Sequence, residues 1–343
     1  MPRTSRLTTL AAMAICSALA HVRVSAEDAV FLKPSANSRT STRITGTITD
    51  YTGRELLIRT ASGREQMIPA ERVDEVVTTY SQKQTDADLL VEKRRFADAE
   101  ALYRQAVADE ARQWVRRMLL AQIVRCLTYQ EKYEEAGGVF LLIVKNDPAT
   151  QYFDAIPLAW GRIELPLLAE RRAIEWLRKT DDPVAQLIAA SWLLSGPAEL
   201  RAEAQQVIDA LTRSSNAKVA QLAVQQQWRT RIVLANEQEI ARWQSILDKI
   251  DPALRAGGYF IIGQTLARLG RHEDAALALM RVPVLYRQQR ELSAESLLAT
   301  AESLEKNDQA DQARNCLREL LRDHPDSTAA AAAKRKLESA TGG

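Results

Sequence analysis

With 343 residues, 46% hydrophobic and 26% charged, the chain has enough apolar material for two or three folded domains, which excludes a disordered or collagen-like class. Its 46 basic and 44 acidic residues nearly cancel, which removes the basic field that nucleic-acid binding demands. Three cysteines are too few and too scattered for a disulfide framework.

The first 26 residues read as a secretory signal peptide. Arg3 and Arg6 precede an apolar run over 7–20, and Val24, Ser25 and Ala26 form a small-residue cleavage site before Glu27. The run is short for a bilayer span, and no later stretch offers about 18 uninterrupted apolar residues. The expected location is periplasmic or secreted, with no transmembrane segment in the processed chain. Removing Arg3, Arg6 and Arg23 takes the 46 basic residues to 43 against 44 acidic, a net of −1. Cys16 leaves with the leader, and Cys126 and Cys316 remain as two buried thiols.

Over 27–81 the period is that of strands. Ile44, Gly46 and Ile48 alternate with Thr45, Thr47 and Thr49, and 51–53 and 61–63 read as turns. Strands are expected at 30–33, 43–50, 55–60, 65–69 and 76–79. Five short strands in about 50 residues suit a small all-β barrel, because closure hides the edges of an open sheet. The segment resembles SH3-like and Sm-like barrels. It is poor in aromatics, so docking or capping fits it better than peptide or RNA binding.

From residue 82 to 339 the period is helical. Ala87, Leu90, Phe96, Ala99, Tyr103 and Ala106 are followed 37 residues later by Val124, Leu127, Tyr133, Ala136, Phe140 and Ile143. A second pair of rounds, 38 residues apart, joins Gly263, Leu266, Ala275, Leu279 and Val282 to Ala301, Leu304, Ala313, Leu317 and Leu320. Small residues at these offsets let two helices approach, and Tyr103 and Phe140 fill the space between them. Over 151–250 the pattern blurs, but Asp182-Pro183, Gly196-Pro197 and Asp251-Pro252 punctuate continuing helices. A last helix over 327–339 would cover the end of the stack, leaving 340–343 as a tail.

This spacing resembles the tetratricopeptide repeat (TPR) family, clearest over 82–148 and 258–325. The resemblance implies a mostly α fold, a right-handed α-solenoid of helical hairpins stacked into an open curved rod behind the β segment. It implies a non-catalytic scaffold or adaptor for protein or peptide partners. In such repeats the first helix lines a groove, which nominates Asp88 and Glu92, Arg125 and Tyr129, Gln264 and Arg268, and Glu302 and Glu305. Some relatives clamp a peptide carboxylate with lysine and asparagine on that helix. Here Gln84, Asp88, Ala121 and Arg125 stand at the corresponding places, which argues against that mode.

Chemistry is otherwise scarce. His272 and His324 lie in different repeats, there is no zinc spacing, and no phosphate-binding glycine loop or nucleophile elbow occurs, so neither a metal nor a cofactor is expected. The six tryptophans, 114, 160, 176, 192, 228 and 243, read mainly as packing residues. Two other readings follow from the same residues: an envelope component that self-associates, and a small-ligand or enzymatic module built on the barrel or the tryptophan-rich middle.

Overall fold

The computed structural model describes residues 27–34 and 41–341, so the expected signal peptide lies outside the described residues. Five strands open the chain: β1 (Asp28–Leu32), β2 (Thr42–Tyr51), β3 (Glu55–Arg59), β4 (Glu65–Pro69) and β5 (Val73–Val77). They form one antiparallel sheet in the order β4-β3-β2-β1-β5, with a 3-10 turn over Ala70–Arg72 joining its two end strands. The alternation in β2 holds, since Ile48 is buried and Thr45, Thr47 and Thr49 are exposed. Val30, Ile48, Leu56, Ile58, Ile68 and Val73 make the buried face, continuous with the helical core.

Fourteen helices follow among the described residues: α1 (Gln82–Glu92), α2 (Phe96–Asp109), α3 (Gln113–Tyr129), α4 (Tyr133–Asn146), α5 (Leu167–Leu177), α6 (Pro183–Leu193), α7 (Ala198–Leu211), α8 (Ala217–Arg231), α9 (Glu237–Leu247), α10 (Ala256–Arg268), α11 (His272–Leu285), α12 (Arg290–Lys306), α13 (Ala310–Asp323) and α14 (Thr328–Thr341). The last runs into the stretch that reads as a tail. Successive helices pack on each other, and α6, α8, α10 and α12 each also touch the next even-numbered helix, up to α14. Two layers result, with alternate helices in each.

The repeat positions are where the hairpins interlock. Ala99, Ala136, Ala275 and Ala313 are buried, and Tyr103 and Phe140 fill the space beside the first two. A Cβ on Gly263 would stand 2.5 Å from the Leu279 side chain, so α10 and α11 need a glycine to approach this closely. All four clear hairpins turn alike. Arg94, Glu131, Gly270 and Asp308 take positive φ just past the first helix. The amide after each donates five residues back, Arg95 to Leu90, Lys132 to Leu127, Arg271 to Leu266 and Gln309 to Leu304. This is the Schellman closure of a helix C-terminus.

The sheet is tied to this stack by polar contacts from α3 and from Arg112 just before it. The buried Arg117 guanidinium donates to Asp50 and to the Tyr51 carbonyl, and Arg112 donates to Thr78 Oγ1 at 2.8 Å and to the Thr79 carbonyl at 3.0 Å. The β2–β3 turn presses close enough that Gly53 N donates to Asp147 Oδ2 at 2.9 Å, and a Cβ there would collide with the Ala149 carbonyl.

Two expectations need correction. Helices do not run continuously through 151–166: a 3-10 turn, Gln151–Ala155, is followed by extended chain over 156–166. Pro157 and Pro166 remove amide donors, and Gly161 between them has no helical preference. By the alternation of layers this strap fills the place of one inner helix. Nor is the rod open. Arg94 donates to the Arg322 carbonyl at 2.9 Å, Gln289 donates to the Asp154 carbonyl, and the Arg290 guanidinium sits 5.3 Å from the Phe96 ring and 5.8 Å from that of Tyr129. The stack curls until its late helices touch its early ones.

Candidate functional site

The strap is held by its main chain. Trp192 Nε1 donates to the Pro157 carbonyl at 2.7 Å, Gln226 Nε2 to that of Ala159 at 3.0 Å, and Ser191 and Ser195 Oγ accept from Ala159 N and Ile163 N. Arg229 does most, bonding the carbonyls of Ala159, Ser191 and Gly161 and the Ser195 hydroxyl. Burial pulls the Arg229 guanidinium down to about 10, partly offset by the charge of Glu295. One side chain is gripped too. The ring of Trp160 lies where a Cβ on Gly257 would come within 2.3 Å of it. Against α6, α8 and the start of α10, the protein's own extended chain is therefore held with little regard to most of its side chains.

Beside the strap lies a cavity of about 410 Å³. Its walls are the end of α3, the strap and the start of α12, with Arg125, Tyr129 and Tyr133 on one side, Trp160 and Gly161 on another, and Glu291 and Glu295 facing them. Burial, then Glu291, push the Glu295 carboxyl up to about 7 against the pull of Arg229, and burial and Glu131 raise Glu291. The Tyr133 hydroxyl is pushed up to about 12 by burial and then by Glu131, Glu291 and Glu295, so it feels all three acids.

Of the eight nominated groove residues, only Arg125 and Tyr129 reach this cavity, and both are engaged. Arg125 pairs with Asp154 at 2.7 Å, and the Tyr129 hydroxyl donates to the Gln288 carbonyl. Elsewhere, Asp88 accepts from the Tyr103 hydroxyl while Glu92 is exposed, and Arg268 donates to the Ala235 carbonyl. Gln264 is half-buried on α10. Glu302 and Glu305 face Lys336 of α14 at 3.8 and 2.8 Å. The structure places these residues in four separate pairs, on α1, on α3 at the cavity, on α10 and on α12 against α14. Glu291, Glu295 and the strap were missed because nothing in their spacing marks them. The pair of prolines around Trp160-Gly161 was the available signal.

Residues 295–327 match the family model described as Tetratricopeptide repeat. They take in most of α12, all of α13 and the turn into α14. The chain carries a tetratricopeptide repeat. That repeat has the left-handed turn at Asp308 and the buried Ala301, Ala313, Leu317 and Leu320, which are the features that the hairpins α1–α2, α3–α4 and α10–α11 share with it. No curated protein matches the chain. Among the described residues, no helix is long and apolar enough to cross a membrane, and no group of three or more His, Cys, Asp or Glu is placed to hold a metal ion. Cys126 and Cys316 are both buried free thiols.

Proposed function

We propose that this chain is an exported, non-catalytic scaffold that holds protein partners on the surface of its helical stack. The observation that carries it is the tetratricopeptide repeat within a run of like hairpins, since this architecture offers a large rigid surface over which weak contacts add. The strap covers α6, α8 and the start of α10 on the inner side, which favours an outer surface for the partner. Leu142 on α4 and Leu167 and Leu168 on the neighbouring α5 expose apolar side chains on adjoining helices, with Leu168 69% accessible. Such side chains suit the apolar centre of an interface.

A photo-crosslinking residue placed at Leu168 in cells should trap a discrete partner, and Leu167→Lys with Leu168→Lys should abolish the adduct while leaving the melting temperature unchanged. Monomer alone at Leu168 in cells that express the protein would overturn the scaffold reading. Export has its own readout. The protein from cells should begin at Glu27 and fractionate with the envelope, and a chain retaining Met1 in the cytosol would refute it.

A further inference from the structure

We infer that the cavity between the strap, α3 and α12 binds an organic cation, the alkylammonium or guanidinium end of a small amine or of a lysine or arginine side chain. The cavity is within the size range of small-ligand sites. Its lining has five carboxylates, Glu131, Asp154, Glu164, Glu291 and Glu295, against three guanidiniums, Arg125, Arg162 and Arg290. Those cations are mostly committed: Arg125 closes on Asp154, and Arg290 donates to the Asp323 carbonyl at 2.8 Å while lying over Phe96 and Tyr129. Arg229, behind Gly161, is consumed by strap carbonyls. Glu291 and Glu295, one helical turn apart, are left facing the space with neither a hydrogen bond nor an ion pair among the described residues.

Two neighbouring half-buried carboxylates without a hydrogen bond or ion pair cost free energy, and a cation between them lowers that cost. The acids are not grouped for a metal ion, so a point charge does not fit. An alkyl-stemmed cation does, because the rings of Tyr133 and Trp160 line the same space and can receive both the stem and the charge. The Glu295 carboxylate lies so close to Gly161 that a Cβ there would stand 2.7 Å from it, which fixes that acid against the strap.

The inference stands apart from the scaffold reading, since it concerns an inner cavity and that reading an outer surface. Calorimetric titration of the purified protein near pH 8 tests it with 1,5-diaminopentane and with the capped tripeptide acetyl-Gly-Lys-Gly-amide. The glutamate tripeptide serves as control. At least one cationic probe should bind saturably with a dissociation constant of about 1 mM or tighter, and the glutamate tripeptide should not bind. Binding should weaken at least tenfold in Glu291→Gln/Glu295→Gln, and also at about pH 5.5, where Glu295 holds its proton. Preference for the diamine identifies a free amine as the ligand, and preference for the tripeptide a side chain of a partner. Failure of both probes, or equal binding by the double variant, overturns the site. Should the double variant not fold, Glu131→Gln at the exposed rim reads the same loss. Adducts at Leu168 are unaffected by either result, so the two readings fail separately.

Discussion

The hairpins on either side of the molecule and the strap between them solve the same problem with opposite chemistry. In α3–α4 the helices interlock through Ala136, Phe140 and Ile143, all fully buried, and the backbone is satisfied within each helix. Over 156–166 the backbone makes one internal bond, Leu158 N to the Ile156 carbonyl at 2.9 Å, and side chains of α6 and α8 supply further partners, chiefly Arg229. The hairpin buries apolar surface, whose stabilisation is indifferent to pH. The strap depends on a buried charge and lies against two carboxylates. One region should answer to volume and the other to charge.

The largest expected effects come from breaking each region by its own means. Phe140→Ala removes a ring that stands edge-on to Phe153 at 5.6 Å and should cost about 3–5 kcal/mol in global unfolding, read by urea denaturation. Arg229→Ala takes the guanidinium from the Gly161 and Ser191 carbonyls and leaves that of Ala159 to Gln226 alone, and should cost roughly 3 kcal/mol. Its signature is local. Hydrogen exchange should accelerate over 156–166 and leave α3–α4 protected, whereas Phe140→Ala should loosen α3–α4. Equal loosening of both regions by either variant would erase the distinction.

A smaller effect separates the regions by pH. Glu295 has its folded-state value raised to about 7, so the stability tied to its neutral form is complete below the unfolded value near 4.5 and is lost as pH rises through 7. Glu295→Gln should therefore melt higher than the parent at pH 8, by about 2–3 kcal/mol, and match it near pH 4.5. His324 runs the other way. Burial lowers it to about 4, and its contribution, present above 6.5, is lost as pH falls toward 4. The difference between Glu295→Gln and the parent cancels that term and isolates the strap. A pH-independent difference would show that Glu295 is not buried charge.

The same contrast explains what could be read from the sequence. Hairpins leave a periodic trace because each repeats one packing solution, so the rounds from Ala87 to Ile143 and from Gly263 to Leu320 were visible, and so were the five strands with their alternating Ile and Thr. The strap occurs once, and its partners Ser191, Gln226 and Arg229 sit on helices far along the chain. Nothing in spacing reports a guanidinium that bonds carbonyls nearly 70 residues away. Two of the nominated groove residues meet partners that spacing does not report either: curling of the stack brings Gln288 onto Tyr129, and the 3-10 turn before the strap brings Asp154 onto Arg125.

The finest test lies in the turns that the four hairpins share. Gly270 takes φ of 80° without strain, whereas Arg94, Glu131 and Asp308 hold 57–59° with a Cβ in place. L-residues pay about 1 kcal/mol or more for that conformation, and glycine gives part of the gain back through its freer unfolded chain. Asp308→Gly should therefore stabilise the last repeat by roughly 0.5 kcal/mol. Gly270→Ala should cost about 1 kcal/mol, with no steric contribution because nothing stands within 4 Å of the added Cβ. If the two substitutions shifted the urea midpoint in the same direction, the common turn geometry would not be what closes these hairpins.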